Sequence, residues 1–260
     1  MAIDETMFNL CGANRGTPPT LRLYGWNPPA ISIGYFQSPI TPSLAKGQSL
    51  LPPLSRGEQR GNCSPLVRGV EEIDVVRRLT GGGAILHNEE LTFCLVTSLK
   101  DSIIPEDVSA SYNMISLAVI SGLQALGIAA RMRGKESAET TLAAPGGKPA
   151  CRQEQAFFCF SRPSKYDIVF EGRKLVGSAQ RRKNGLLLHH GSILLDEQNL
   201  NGSISVNSIL GRKVKMEELG RYVADGFEKE FSASLIPGKL TQQELKLSRQ
   251  LAMNKQGEDR

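Results

Sequence analysis

The strongest constraint on this chain is the order of its apolar patterns. Short β-branched runs fill the first two-thirds, one helical stretch interrupts them, and helical periodicity takes over in the last quarter. TLRLYGW (20–26) and AISIGYF (30–36) flank Asn27-Pro28-Pro29 and read as two strands around a turn. DVVRRL (74–79), AILH (84–87) and LTFCLVTSL (91–99) read as three more strands. Beyond Pro105, residues Val108, Tyr112, Ile115, Val119, Leu123 and Leu126 recur every three or four positions, a helix that Gly127 would stop. YDIVFEG (166–172), KLVGSAQ (174–180) and LLLHHGSILL (186–195) return to strand, with Glu171-Gly172 as a hairpin turn. Finally Met216, Leu219, Val223, Phe227 and Phe231 share one helical face, and Thr241 to Glu244 fits a capping box before a last helix. Strands with a few helices and no strict βαβ alternation predict an α+β fold with a mixed, mostly antiparallel sheet flanked by helices.

A chain of 260 residues with this pattern is read as one domain, with residues 206–255 as its C-terminal helical part. Residues 39–70 do not fit the pattern. TPSLAKG, PPLSRG and SPLVRG repeat a degenerate Pro-Leu-basic-Gly unit there, with too few large apolar residues for a core, so a flexible, exposed insertion is expected. Apolar runs fall short of a membrane span, and the acidic opening MAIDETM lacks the order of a secretion signal. Five scattered cysteines without a CxxC pair suggest neither a disulfide framework nor a zinc site, and a reducing cytoplasm is the expected compartment. The net charge of +5 gathers at Arg77-Arg78, Arg181-Arg182-Lys183 and Arg212-Lys213. No aromatic-interleaved basic stripe accompanies them, so an acidic protein partner or plain solvation is favoured over nucleic acid.

Four stretches carry chemistry. In RRLTGGGAILH (77–87), three glycines let the backbone approach a ligand, with Arg78 before them and His87 after; a flexible hairpin turn is the plainer alternative. The loop fits neither the Walker nor the Rossmann fingerprint. In GRKLVGSAQRR (172–182), Lys174 lies on a strand followed by the small residues Gly177, Ser178 and Ala179; alone it would be a surface lysine after a turn. In LLLHHGS (186–192), His189 and His190 point to opposite faces, so one can line a pocket while the other is expected at the surface, and a metal site is not expected. EQAFFCFSRPSKYD (154–167) places Cys159 among aromatics before a Pro-containing turn, either as a small core side chain or as a nucleophile. Phe157, Phe158 and Phe160 around it cannot all share one face.

These motifs, in this order, resemble the lipoate–protein ligase A and octanoyltransferase family, related to biotin protein ligases. MAIDETM with PTLRLYGWNPPAISIGYFQ, and the tail ILGRKVKMEELGRYVADGFEKEF with PGKLTQQEL, resemble the same family. The resemblance implies a medium-chain acyl group held near the Gly-rich loop. Arg78, Gly81, Gly82, Gly83 and His87 fall on its acyl-binding motif, Lys174 on a lysine that contacts the acyl carbonyl, and Gly177, Ser178 and Ala179 on the same site, with His190 lining it. FCF-x-x-PSKYD resembles the cysteine-dependent octanoyltransferases, so Cys159 takes the nucleophile position and Cys151 is the nearby competitor. Octanoyl-acyl carrier protein would be the donor, with lipoyl domains of 2-oxoacid dehydrogenases or the glycine cleavage H protein as acceptors and no cofactor. Alternatives are an ATP- and Mg-dependent lipoate ligase, a lipoyl-domain amidotransferase, and a non-catalytic acyl-binding relative. Relative to the family pattern, a leading strand is expected to be missing, and residues 39–70 replace a shorter connection.

Overall fold

The computed structural model describes residues 1–13, 17–37, 73–100, 104–134, 159–160, 163–198 and 202–258. The 39–70 segment with Cys63, and Cys151, Phe157 and Phe158, lie outside the described residues. In chain order the elements are α1 (Ala2–Ala13), β1 (Thr20–Tyr24), β2 (Ala30–Ile33), β3 (Asp74–Arg77), β4 (Ile85–His87), β5 (Glu90–Ser98) and α2 (Val108–Ala125). There follow β6 (Arg131–Met132), β7 (Ile168–Phe170), β8 (Arg173–Lys183), β9 (Leu186–Leu194), α3 (Val206–Leu210), α4 (Met216–Phe231) and α5 (Gln242–Glu258). The fold is α+β with a mostly antiparallel sheet, as the apolar pattern predicts.

Six strands form the main sheet in the order β1-β5-β9-β8-β7-β6, antiparallel throughout. A second sheet, β3-β2-β4, pairs β2 parallel to β3 and antiparallel to β4. The Asn27-Pro28-Pro29 turn therefore does not join a hairpin: it carries the chain from β1 in one sheet to β2 in the other. Local turn chemistry fixes a change of direction, whereas the pairing partner comes from sequence-distant strands. Two true hairpins flank β8, with left-handed residues at Glu171-Gly172 and Asn184-Gly185 that match the twist of two-residue turns.

β5 and β9 are buried almost end to end because helices cover both faces of the sheet. Phe93, Leu95, Leu187 and Ile193 pack under α2 and α4. Cys94, Val96 and Leu188 meet Met7, Phe8 and Cys11 of α1 on the other side. The α2–α4 crossing is close because glycines sit at it: a Cβ on Gly122 would stand 2.3 Å from the Tyr222 carbonyl oxygen. The helix α1 was not expected from the sequence, although Ile3, Met7, Phe8 and Cys11 already trace its buried face. The capping box at α5 forms as expected, the Thr241 N–H donating to Glu244 Oε2 at 2.6 Å and the Glu244 N–H to Thr241 Oγ1 at 3.2 Å. Among the described residues no helix is long and apolar enough to cross a membrane.

Candidate active site

Cys159 lies in irregular backbone. Its peptide is held at both ends. The Cys159 N–H donates to the Ala84 carbonyl at 2.8 Å, and its own carbonyl accepts from Lys174 Nζ at 3.1 Å. The thiol is half-buried, whereas Cys11 and Cys94 are buried in the core, where loss of hydration pushes both thiols up in pKa. A thiol that cannot ionise is a poor nucleophile. Phe160 is buried, with its ring 5.1 Å from the Lys174 ammonium.

Lys174 is 2% exposed, so the surface reading of this residue is set aside. Its strand is paired on both sides at this point: the N–H donates to Gly202 and the carbonyl accepts from Ile204, while Val169 of β7 stands opposite. The buried ammonium requires a counter-charge, and Asp167 supplies it at 2.8 Å through Oδ1. Asp167 Oδ2 accepts from the Ser164 N–H at 2.7 Å and lies 3.6 Å from Arg133 Nε. Burial raises the pKa of Asp167, and the Lys174 charge opposes that rise. Neither Asp167 nor Arg133 was singled out in the sequence, although Asp167 stands inside the PSKYD motif.

The glycine-rich loop is gripped from behind. Arg78, 1% exposed, donates to the Ser32 carbonyl and Oγ at 3.0 Å each, to the Gly81 carbonyl at 3.0 Å and to the Gly83 carbonyl at 2.6 Å. Burial lowers its pKa, and a charge on Cys159 acts in the opposite sense. Arg78 therefore organises the loop through its planar fork of donors. Arg77 similarly ties down the Gly34–Gln37 turn, donating to the Gln37 carbonyl at 2.7 Å. Gly82 has φ 99°, a region that favours glycine, and a Cβ there would lie 3.8 Å from Cys159 Sγ. Backbone packs directly on backbone beneath it: a Cβ on Gly34 would stand 2.0 Å from the Gly82 carbonyl oxygen. The basic clusters are thus partly structural, since Arg78 is interior and Arg182 donates to the Glu106 carbonyl and to Ser111 Oγ.

His87 is the centre of a buried chain of polar groups. Its Nδ1 is 2.6 Å from Glu90 Oε1, its Nε2 is 2.6 Å from Ser32 Oγ, and its ring stacks on Trp26 at 4.1 Å. Ser32 Oγ also accepts from Arg78. Thr92 and Ser192 also donate to Glu90 Oε1. Glu90, Ser32 and Trp26 were not anticipated, because the register that brings β2, β4, β5 and β9 together is tertiary. His190 lines the pocket, with Nε2 2.6 Å from Thr80 Oγ1. His189 corrects an expectation: it is buried on the opposite face, stacked on Phe93 and edge-on to Tyr112 beneath α2. Burial holds both imidazoles neutral, with pKa values of about 3.

Cys159, Arg78, His87, Gly177, Ser178, Ala179 and His190 all line one small pocket that opens to solvent. Gly81, Gly82 and Gly83 stand beside this lining, with Gly82 against the thiol. Gly177 leaves the space that Lys174 occupies, because a Cβ there would come 2.9 Å from Lys174 Cε.

Lys174 does not line this pocket; it stands behind the Cys159 backbone. A two-sheet α+β scaffold that brings a glycine-rich loop and a half-buried thiol to one pocket, with a buried lysine behind the thiol, defines a small-molecule-handling enzyme domain. Residues 1–228 match the model of the lipoyl protein ligase A/B catalytic domain, and the chain belongs to that family. It is 36% identical to octanoyltransferase LipM of Kyrpidia tusciae over 96% of this chain and 89% of that protein. It is 30% identical to octanoyltransferase LipM of Bacillus subtilis over 100% of this chain and 91% of the relative. Among solved structures it resembles lipoate-protein ligase A bound with ATP, at 22% identity and TM-score 0.66 over 96% of this chain and 87% of that one. It also resembles the bipartite lipoate protein ligase of Thermoplasma acidophilum, described with its E2 lipoyl domain, at 20% identity and TM-score 0.63 over 96% and 85% of the two chains. At these identities the structural likeness concerns the fold.

Proposed function

We propose that this enzyme is an octanoyltransferase of lipoate biosynthesis, moving an octanoyl group from acyl carrier protein through a thioester on Cys159 to a lysine of a lipoyl domain. The single observation that carries the reading is the position of Cys159: a half-buried thiol at the pocket, its backbone tied to the glycine-loop edge and to Lys174. The relatives named above as octanoyltransferases supply the acyl group.

In the first half-reaction the Cys159 thiolate attacks the octanoyl thioester carbonyl, and the carrier thiolate leaves. The exchange is close to isoenergetic because one thioester replaces another. In the second, the neutral amine of the acceptor lysine attacks the Cys159 thioester. The amide forms, the amine proton is lost, and the thiolate is regenerated. Negative charge develops on the carbonyl oxygen in both steps, beside a buried region carrying Lys174 and Arg78, and fixed cations and donors in such a place lower the barrier. The acceptors are lipoyl domains of 2-oxoacid dehydrogenases or the glycine cleavage H protein, in the cytoplasm. Surface lysines and arginines that are not tied into the fold favour encounter with acidic partners.

The test is transfer to a purified lipoyl domain from octanoyl-acyl carrier protein, or from free octanoate with ATP and Mg. Transfer from the carrier without ATP, lost in Cys159→Ala, supports the proposal. Transfer that requires ATP and survives Cys159→Ala overturns it in favour of a ligase.

A further inference from the structure

We infer that Asp167 is a positioning residue of this reaction, holding the Lys174 ammonium as a latch on the backbone of Cys159. The inference deepens the proposed function and rests on Cys159 as the acyl acceptor. Three observations carry it. Lys174 Nζ touches the carbonyl oxygen of Cys159 itself at 3.1 Å, so the lysine bears on where the nucleophile's backbone lies. Asp167 Oδ1 holds the same ammonium at 2.8 Å, and both residues are buried, at 2% exposure each. Asp167 is in turn fixed by the Ser164 N–H at 2.7 Å on its other oxygen, so the carboxylate cannot simply follow the lysine.

The geometry explains how a nucleophile in irregular backbone can be held in place. The peptide before Cys159 is anchored by its N–H to Ala84, at the end of the glycine-rich loop. The peptide after it is anchored by its carbonyl to Lys174. Lys174 can serve as an anchor because its own strand is bonded on both sides, to β7 and to the Gly202–Ile204 segment. Without Asp167 the buried ammonium would lose its counter-charge and turn toward water or shed its proton, and either change releases the Cys159 carbonyl. A nucleophile displaced by about 1 Å can lose on the order of 100-fold in rate.

A double-mutant cycle separates this role from a general structural one. Asp167→Asn, Lys174→Met and the double variant are compared for single-turnover acylation by octanoyl-acyl carrier protein, for KM of the carrier, and for hydrogen exchange of the Cys159 amide. Asp167→Asn is expected to slow acylation by roughly 10- to 100-fold with KM unchanged. On the Lys174→Met background the same substitution is expected to cost less than about twofold, because Asp167 acts through the lysine. Exchange of the Cys159 amide is expected to rise at least about tenfold in all three variants, since opening of the anchored segment exposes it. Should Asp167→Asn alone fail to fold, Lys174→Met and the double variant, which leaves no unpaired lysine charge beside the site, still decide the question. Independent, additive losses overturn the inference, and so does an unchanged exchange rate at Cys159. A wild-type enzyme that never acylates overturns instead the proposed function on which the inference rests.

Discussion

Replacing Gly177 by alanine should uncouple catalysis from stability. The new Cβ would lie 2.9 Å from Lys174 Cε, 3.2 Å from Lys174 Nζ and 3.8 Å from Phe160 Cε2, so the one severe clash is with the far end of a long side chain. Lys174 can relieve it by swinging, and the sheet does not have to move. Alanine in a strand interior is favoured over glycine by about 0.5–1 kcal/mol, which offsets part of the disturbance. The swing that costs least keeps the buried ion pair with Asp167 and draws Nζ away from the Cys159 carbonyl, now at 3.1 Å. A hydrogen bond to a charged group contributes about 1.5–3 kcal/mol, so losing one leaves net stability within about 2 kcal/mol of wild type. At about 1.4 kcal/mol per tenfold in rate, the same loss slows acylation by roughly 10- to 100-fold. Denaturant unfolding gives the first quantity, and rapid-quench acylation by octanoyl-acyl carrier protein, read by intact mass, gives the second. A Gly177→Ala enzyme that acylates at the wild-type rate would refute the reasoning, as would one that loses more than about 4 kcal/mol of stability.

Two further expectations concern the groups behind the site. Arg78→Lys keeps the charge but not the fork that bridges Ser32, Gly81 and Gly83; a loss of about 2–4 kcal/mol in chemical denaturation is expected from the unpaired carbonyls, and an unchanged midpoint would show that the loop does not depend on the guanidinium. The buried, neutral His189 and His190, with pKa values of about 3, make stability fall as pH drops below the ordinary histidine value of 6.5. The sign follows from protonation of the unfolded chain alone between those values: stability is full above pH 6.5 and is lost progressively toward pH 3. Each histidine costs about 1.4 kcal/mol by pH 5.5, so the His189→Gln variant should show a shallower pH slope than wild type, and an identical slope would contradict the burial argument.

The strands and long helices were legible because each buried run leaves its own period in the apolar residues, and Glu171-Gly172 marks its turn by chemistry alone. Cys159, Lys174 and the glycine-rich loop could be picked out by motif and order. Their geometric relation could not. The resemblance put Lys174 at the acyl carbonyl, and the structure puts its ammonium on the Cys159 carbonyl and on Asp167. His189 was misplaced because alternation assigns faces without saying what covers them, and α2 covers the second face. At Asn27-Pro28-Pro29 the two strands and the turn were legible, but a turn does not name the sheet to which the next strand belongs. The network of Ser32, His87, Glu90, Thr92 and Trp26 joins residues up to 66 positions apart through strand register, which single-sequence periodicity does not encode.

The most direct measurement is peptide mapping by mass spectrometry after incubating the enzyme with octanoyl-acyl carrier protein in the absence of an acceptor. The expected result is one octanoyl group on the peptide carrying Cys159, retained in Cys151→Ser, absent in Cys159→Ser, and discharged when a lipoyl domain is added. An octanoyl group on any other residue, or a folded enzyme that transfers octanoate without ever carrying it, would contradict the assignment of Cys159 as the acyl acceptor.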